Sequence, residues 1–275
     1  MGVPSDRTVV TNDTMSTVYE EYEEYARKGR IWGQVPRERI KKIRFPRVPV
    51  ETLDAYTKLR DPTSTISDVL DALGICGAVA CSHLPPLIAG KRIAGTAVTV
   101  RNIPERKSPT QAHLDQESIR MSSREVHYLA EPRDVLVADF GGNVDVSNMG
   151  GQSCSVAQAK GLSGAIVNGA VRDVNTIRQI GFPVWSKGAT PKTGKFRVES
   201  AEINGPVTVH DVVVHAGDLV VADDSGICFV PFELVDEVLG RVRAIEAQEA
   251  AARELIEKDA PMGELKELFR RRQRL

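Results

Sequence analysis

The chain reads as an α/β protein built on a mixed sheet, with a charged helical extension before it and a long helix after it. Three observations carry this expectation. Apolar runs of strand length recur between residues 94 and 230, helical stretches interrupt the middle of that series, and an amphipathic stripe follows Phe232. A βαβ part adjoins a mainly β part, which points to a mixed sheet rather than a full doubly wound one. The chain divides into an extension (1–62), a core (63–235) and a C-terminal helix (236–275).

The extension opens with Tyr19-Glu-Glu-Tyr-Glu-Glu-Tyr25, an acidic helical stretch stopped by Gly29, and continues through a basic segment from Arg37 to Arg47 broken by Pro36, Pro46 and Pro49. Charge-segregated sequence buries little by itself. The extension either packs on the domain or a neighbouring subunit, or stays a partly solvated arm. In the core, Thr65-Ile-Ser-Asp68 resembles a capping-box start, with Val69, Leu70, Leu73 and Ile75 following at roughly helical spacing and Gly74 closing the helix. Strands are expected at 94–100, 134–139, 164–171, 207–209, 211–215, 219–222 and 226–230, and helices at 152–160 and 174–180. Gly turns such as Ala216-Gly217-Asp218 join the later strands. From Phe232 onward, Leu234, Val238, Val242 and Ile245 form one apolar face of a helix long enough to cross a subunit boundary. The tail Arg270-Arg-Arg-Gln-Arg274 reads as a solvated helix end.

Composition excludes several function classes. A length of 275 residues allows one large domain or two small ones, and 41% hydrophobic with 27% charged residues suits a globular protein. A net charge of −1 gives no reason to expect nucleic acid or an anionic membrane as the main partner. The apolar runs are far short of a membrane span, and Met1-Gly-Val-Pro-Ser-Asp-Arg lacks the apolar centre of a secretory signal, so a cytoplasmic location is expected. Cys76, Cys81, Cys154 and Cys228 have no zinc-site spacing and read as buried free thiols.

The stretch richest in chemistry is Met149-Gly-Gly-Gln-Ser153, followed by the strand Gly164 to Val171 and then Arg172-Asp173. A Gly-rich helix start offers unpaired N–H groups, here those of Gly150, Gly151, Gln152 and Ser153, to a substrate carboxylate. Arg172 can clamp the same carboxylate, and Asp173 can hold a hard divalent metal. In a βαβ unit, the loop before the helix and the loop after the next strand lie together at the carboxyl ends of strands. The plainer alternatives are a glycine turn, a surface ion pair, and an N-cap supplied by Asp173. Asp139-Phe-Gly-Gly-Asn143 lacks nucleotide-loop spacing and reads as a tight turn. The segment Asn102 to Ala130 is long and polar, as in a lid or substrate wall, and the five histidines make no ligand spacing.

These residues resemble a known family. Gly161-Leu-Ser-Gly-Ala-Ile-Val-Asn-Gly-Ala-Val-Arg-Asp173, Phe182-Pro-Val, Gly188-Ala-Thr-Pro-Lys-Thr-Gly194, Gly205-Pro-Val, Gly217-Asp218, Ala222-Asp-Asp-Ser-Gly226 and Pro231 are similar to motifs of the class II 4-hydroxy-4-methyl-2-oxoglutarate aldolases, which share a fold with the regulator of ribonuclease activity A. Upstream, Ser67-Asp68 and Ile93-Ala-Gly-Thr-Ala97 also fit, so the resemblance runs from about Thr63 to Glu249.

The resemblance implies a β/β/α fold like the swivelling phosphohistidine domain, assembled as a homotrimer or homohexamer. It implies Mg²⁺ or Mn²⁺ at Asp173, a pyruvyl group held by Arg172 and the amides of Gly150 to Ser153, and a glutamate from a neighbour's C-terminal helix, with Glu249 (or Glu246) as the match. The implied reaction is cleavage of a C–C bond in a small 2-oxo acid through a pyruvate enolate, by aldol cleavage or by oxaloacetate decarboxylation. One departure stands out. The aldolases carry an acidic residue where this chain has Gly151. Glu199, Asp145 or a group from the 102–130 segment are the candidate replacements. The alternatives are a non-catalytic, protein-binding regulatory oligomer, or a lyase for a larger substrate.

Overall fold

Alternation along the strands sets the layers. In the strand Asp134–Asp139, Leu136 and Ala138 face one cluster of buried residues while Val135 and Val137 face another. In Gly164–Val171, Ala165 and Val167 likewise oppose Ile166. Both faces of these strands are therefore apolar, as a sheet covered on both sides requires.

The structure is a computed structural model that describes residues 12–266. Three helices, α1 (Asn12–Arg27), α2 (Val50–Lys58) and α3 (Pro62–Ala72), precede strands β1 (Ala78–Ala80) and β2 (Ile93–Pro104). Helices α4 (Pro109–Leu114) and α5 (Ser123–Leu129) then lead into β3 (Asp134–Asp139), β4 (Ser147–Met149), α6 (Gly151–Ala159), β5 (Gly164–Val171), α7 (Val174–Ile180) and β6 (Val184–Ala189). The chain continues through β7 (Val198–Ile203), β8 (Val207–Val209), β9 (Val212–Val214), β10 (Leu219–Ala222) and β11 (Gly226–Val230) to α8 (Val235–Glu257).

Among the described residues the main sheet runs β1-β11-β10-β2-β3-β5-β4, with β6 also on β5 and β7 also on β2. Pairs among β2, β3, β4, β5 and β6 are parallel, and the pairs that bring in β1, β7, β10 and β11 are antiparallel. The sheet is mixed, as expected. One face carries the helices: α5, α6 and α7 cover β3 and β5, while α2, α3 and α8 cover β10 and β11. The other face carries the β8–β9 hairpin, whose Val207, Val209, Val212 and Val214 pack on Val135, Val137 and Ile166. Hairpin, sheet and helices make the β/β/α layering.

The extension packs on the domain. Tyr25, Val35, Ile40 and Ile43 are buried in the same cluster as Val98, Val126 and Leu136. The Lys41 N–H donates to Ile203 O at 2.9 Å. The charged sequence concealed this because its few apolar residues are spaced along irregular chain rather than along one helix face.

Several expectations are corrected. The capping-box start at Thr65 is wrong: α3 begins at Pro62, which needs no N–H in the first turn, and the hydroxyl of Thr63 donates to Asp223 at 2.6 Å. The 102–130 segment holds α4 and α5 rather than a plain loop, and β2 extends to Pro104. Cys154 and Cys228 are buried, but Cys76 is exposed and Cys81 half-buried. No helix among the described residues is long and apolar enough to cross a membrane. The Arg270–Arg274 tail lies outside the described residues.

Candidate functional site

The fully buried β5 ends at Val171, and the next N–H, that of Arg172, donates to Met149 O at 3.0 Å. This bond pins the end of β5 to the end of β4, so Arg172-Asp173 sits beside the Gly150-Gly151 start of α6. Asp173 has φ 57° and ψ 41°, a left-handed conformation that Asp tolerates better than most residues. It occupies the N-cap position of α7 but makes no side-chain cap there. Its carboxylate turns back to α6 instead: the Gly151 N–H donates to Oδ2 at 3.1 Å, and Arg172 Nε lies 3.3 Å from the same oxygen.

The helix start is thus already engaged with an anion, the protein's own Asp173. Of the four amides expected to face a substrate carboxylate, that of Gly151 is committed to Asp173. A Cβ at Gly151 would lie 2.7 Å from Thr176 Cγ2 and 2.9 Å from Thr176 Cβ, so the close approach of α6 and α7 leaves no room for a side chain. The departure from the aldolase pattern is built into the packing.

A cavity of about 180 Å³ opens on this corner. It brings together Gly150, Gln152, Ser153, Arg172 and Asp173 with groups that sequence reasoning did not single out, notably Gln34, Ser123, Arg124 and Lys195. Three cations surround one carboxylate, so the cavity favours an anion. Glu249, Glu199 and Asp145 do not line it. Glu249 sits on α8, 3.9 Å from Arg253, and Glu199 is paired with Arg39 at 2.5 Å. A second cavity of about 480 Å³, between the extension and β7, holds none of the predicted site residues.

One buried carboxylate seats the wall formed by the extension and α5. Glu125, on α5, is fully buried and accepts from the backbone N–H groups of Trp32, Gly33, Gln34 and Val35 at 2.7–3.4 Å. Arg30 donates to the carbonyls of Tyr128, Leu129 and Ala130, which satisfies the end of the same helix. Gln34 and Ser123 are held at the cavity by these contacts. No spacing rule could have linked Glu125 to four amides some 90 residues away.

Ser153 lines the cavity, and its hydroxyl is tied to two side chains of α5. Its Oγ lies 2.7 Å from Ser123 Oγ and 2.9 Å from Nε2 of His127, a fully buried residue of α5. Burial, and then the charge of Arg124, push the His127 imidazole down to about 3, so it is neutral at physiological pH. Burial, and then the charge of Asp173, push the Cys154 thiol up to about 12, which removes it as a nucleophile.

Comparison with known proteins then decides the family. The RraA-like model, Aldolase/RraA, matches residues 63–229. The chain belongs to the RraA-like family. It is 32% identical over 187 residues to protein DlpA of Legionella pneumophila; the match covers 68% of this chain but only 29% of that longer relative. It is 28% identical over 200 residues to a Halalkalibacterium halodurans protein provisionally named 4-hydroxy-4-methyl-2-oxoglutarate aldolase, covering 72% of this chain and 87% of that one. Among solved structures it resembles Streptomyces coelicolor RraAS2, an unusual member of the RNase ES inhibitor RraA protein family. The TM-score is 0.63 at 26% identity, over 76% of this chain and 99% of that one.

Proposed function

We propose that this RraA-like chain is a divalent-metal-dependent lyase that cleaves a C–C bond of a small 2-oxo acid through a pyruvate enolate. The substrates this reading favours are 4-hydroxy-4-methyl-2-oxoglutarate, by aldol cleavage, and oxaloacetate, by decarboxylation. The observation that carries it is the adjacency of Arg172 and Asp173 in one small cationic cavity. Arg172 keeps its terminal nitrogens for a substrate carboxylate while Nε faces Asp173. Arg124 and Lys195 suit a second carboxylate on the substrate.

The donors present fit a metal held by few protein ligands. No group of three or more His, Cys, Asp or Glu is assembled among the described residues, which does not fit an all-protein cage. A single carboxylate, with waters and substrate oxygens completing the shell, fits Mg²⁺ or Mn²⁺. Asp173 would hold the ion, and Glu249 of a neighbouring copy in a trimer or hexamer is the second carboxylate we assign. When bound, the cation supplies Lewis-acid polarisation of the 2-oxo group. The protein's part is to bind and orient: Arg172 fixes the carboxylate, and Gly151 fixes Asp173.

A second reading, a non-catalytic oligomer that regulates another protein, is favoured by the lack of space for an acid at position 151. Pyruvate release from the two substrates with Mg²⁺ separates the readings. Turnover supports the lyase. No turnover on either substrate, together with no binding of pyruvate or oxalate, overturns it.

A further inference from the structure

We propose that the Ser153 hydroxyl is a catalytic hydrogen-bond donor to the oxygen that gains charge during bond cleavage, and that His127 is a positioning residue acting through it. The proposal rests on the lyase reading. Its basis is a chain of three side chains that starts at the buried His127 and ends in the cavity. His127 is 0% exposed, Ser153 and Ser123 line the cavity, and the separations are 2.9 Å from His127 Nε2 to Ser153 Oγ and 2.7 Å from Ser153 Oγ to Ser123 Oγ.

The orphaned atom fixes the direction of the chain. Nδ1 of His127 is buried with no partner. A bare N–H is the costlier orphan and a bare ring lone pair the cheaper one, so the hydrogen belongs on Nε2. Nε2–H then donates to Ser153 Oγ, and the Ser123 hydroxyl can donate to the same oxygen. With its lone pairs so used, Ser153 keeps its own hydrogen for the cavity. A hydroxyl that accepts hydrogen bonds is polarised into a better donor. Because the imidazole stays neutral, the chain donates a hydrogen bond without taking up a proton.

This arrangement discriminates between reactions. In decarboxylation the bond from carbon to the departing carboxylate breaks, CO₂ leaves, and the electron pair becomes the enolate, with charge on the former oxo oxygen. Ser153 O–H stabilises that oxygen without giving up its proton, and the carbon takes a proton from solvent. Aldol cleavage needs, in addition, a base for the substrate's hydroxyl proton. Gly151 cannot supply one, Asp173 is engaged by Gly151 and Arg172, and the Glu249 assigned from a neighbouring copy serves the metal. Decarboxylation therefore outpaces aldol cleavage in this chain.

The test uses the full chain with Mg²⁺ and oxaloacetate. Ser153→Ala should lower kcat by about 10- to 100-fold and leave KM within about twofold. His127→Leu should match that loss and add nothing in the Ser153→Ala background, whereas His127→Gln, which keeps an N–H near the Nε2 position, should retain most of kcat. Nitrogen-15 NMR should show His127 neutral and protonated on Nε2 from pH 5 to 8. Titration with oxalate, a planar enolate mimic, should show about tenfold weaker binding in Ser153→Ala. A wild-type kcat in Ser153→Ala, an additive loss in the double variant, or a proton on Nδ1 overturns the proposal. If the wild type turns over neither substrate, the lyase reading fails, and unchanged oxalate affinity in Ser153→Ala overturns the Ser153 contact separately.

Discussion

Thr176 occupies the space that a side chain at position 151 would need: a Cβ on Gly151 would lie 2.7 Å from Thr176 Cγ2. Gly151→Ala should therefore destabilise the protein by about 1–3 kcal/mol through overpacking of α6 on α7. In a Thr176→Gly background the same substitution should cost clearly less, because the two nearest carbons are gone. Urea denaturation of the four proteins in this cycle measures the coupling. Equal penalties in the two backgrounds would mean that α7 moves aside freely.

In the proposed site Arg172 is the clamp for the substrate carboxylate. Arg172→Ala should weaken oxalate binding by at least about tenfold, since a charged hydrogen bond is worth about 1.5–3 kcal/mol. Arg172→Lys should recover only part of it, having no planar fork. Calorimetric titration distinguishes these outcomes, and full retention in Arg172→Ala would move the site elsewhere.

Glu125 joins the extension to the cavity wall. Glu125→Ala leaves four backbone N–H groups without their acceptor and should lower stability by about 2–4 kcal/mol. Limited proteolysis should then cut near residues 30–35 much faster than in the wild type.

Asp134 gives a pH test. Burial outweighs its pairing with Arg47 at 3.0 Å and pushes its carboxyl up from 3.8 to about 6. The folded state binds this proton more tightly than the unfolded chain does, so the group's stabilising contribution is complete below pH 3.8 and lost as pH rises through about 6. Relative to Asp134→Asn, the wild type should lose about 1–3 kcal/mol between pH 4 and pH 7.5. A difference that is flat across this window would contradict the shift.

Much of the fold was legible because its period is local. The bounds of β3, β5, β8, β10 and β11 follow directly from apolar runs, and those of α7 agree with the helix expected at 174–180. Strands β4 and β7 escaped because Ser147-Asn148-Met149 is short and polar and Val198–Ile203 carries Glu199 and Glu202. The Arg172-Asp173 pair was visible as a motif, whereas the contacts of Gly151 with Thr176 and of Ser153 with His127 were not. Both arise only when separate helices pack together.

The lyase reading stands or falls on pyruvate release from oxaloacetate by the wild type, with Mg²⁺ and after chelation, beside Arg172→Ala and Asp173→Asn. Asn keeps an acceptor for the Gly151 N–H and tolerates the left-handed backbone, so that variant removes charge with little change in shape. Metal-dependent turnover is expected in the wild type, with loss by about a hundredfold or more in Arg172→Ala and no metal response in Asp173→Asn. A wild-type rate no faster than the Mg²⁺-promoted background, or a wild-type rate in either variant, would contradict it.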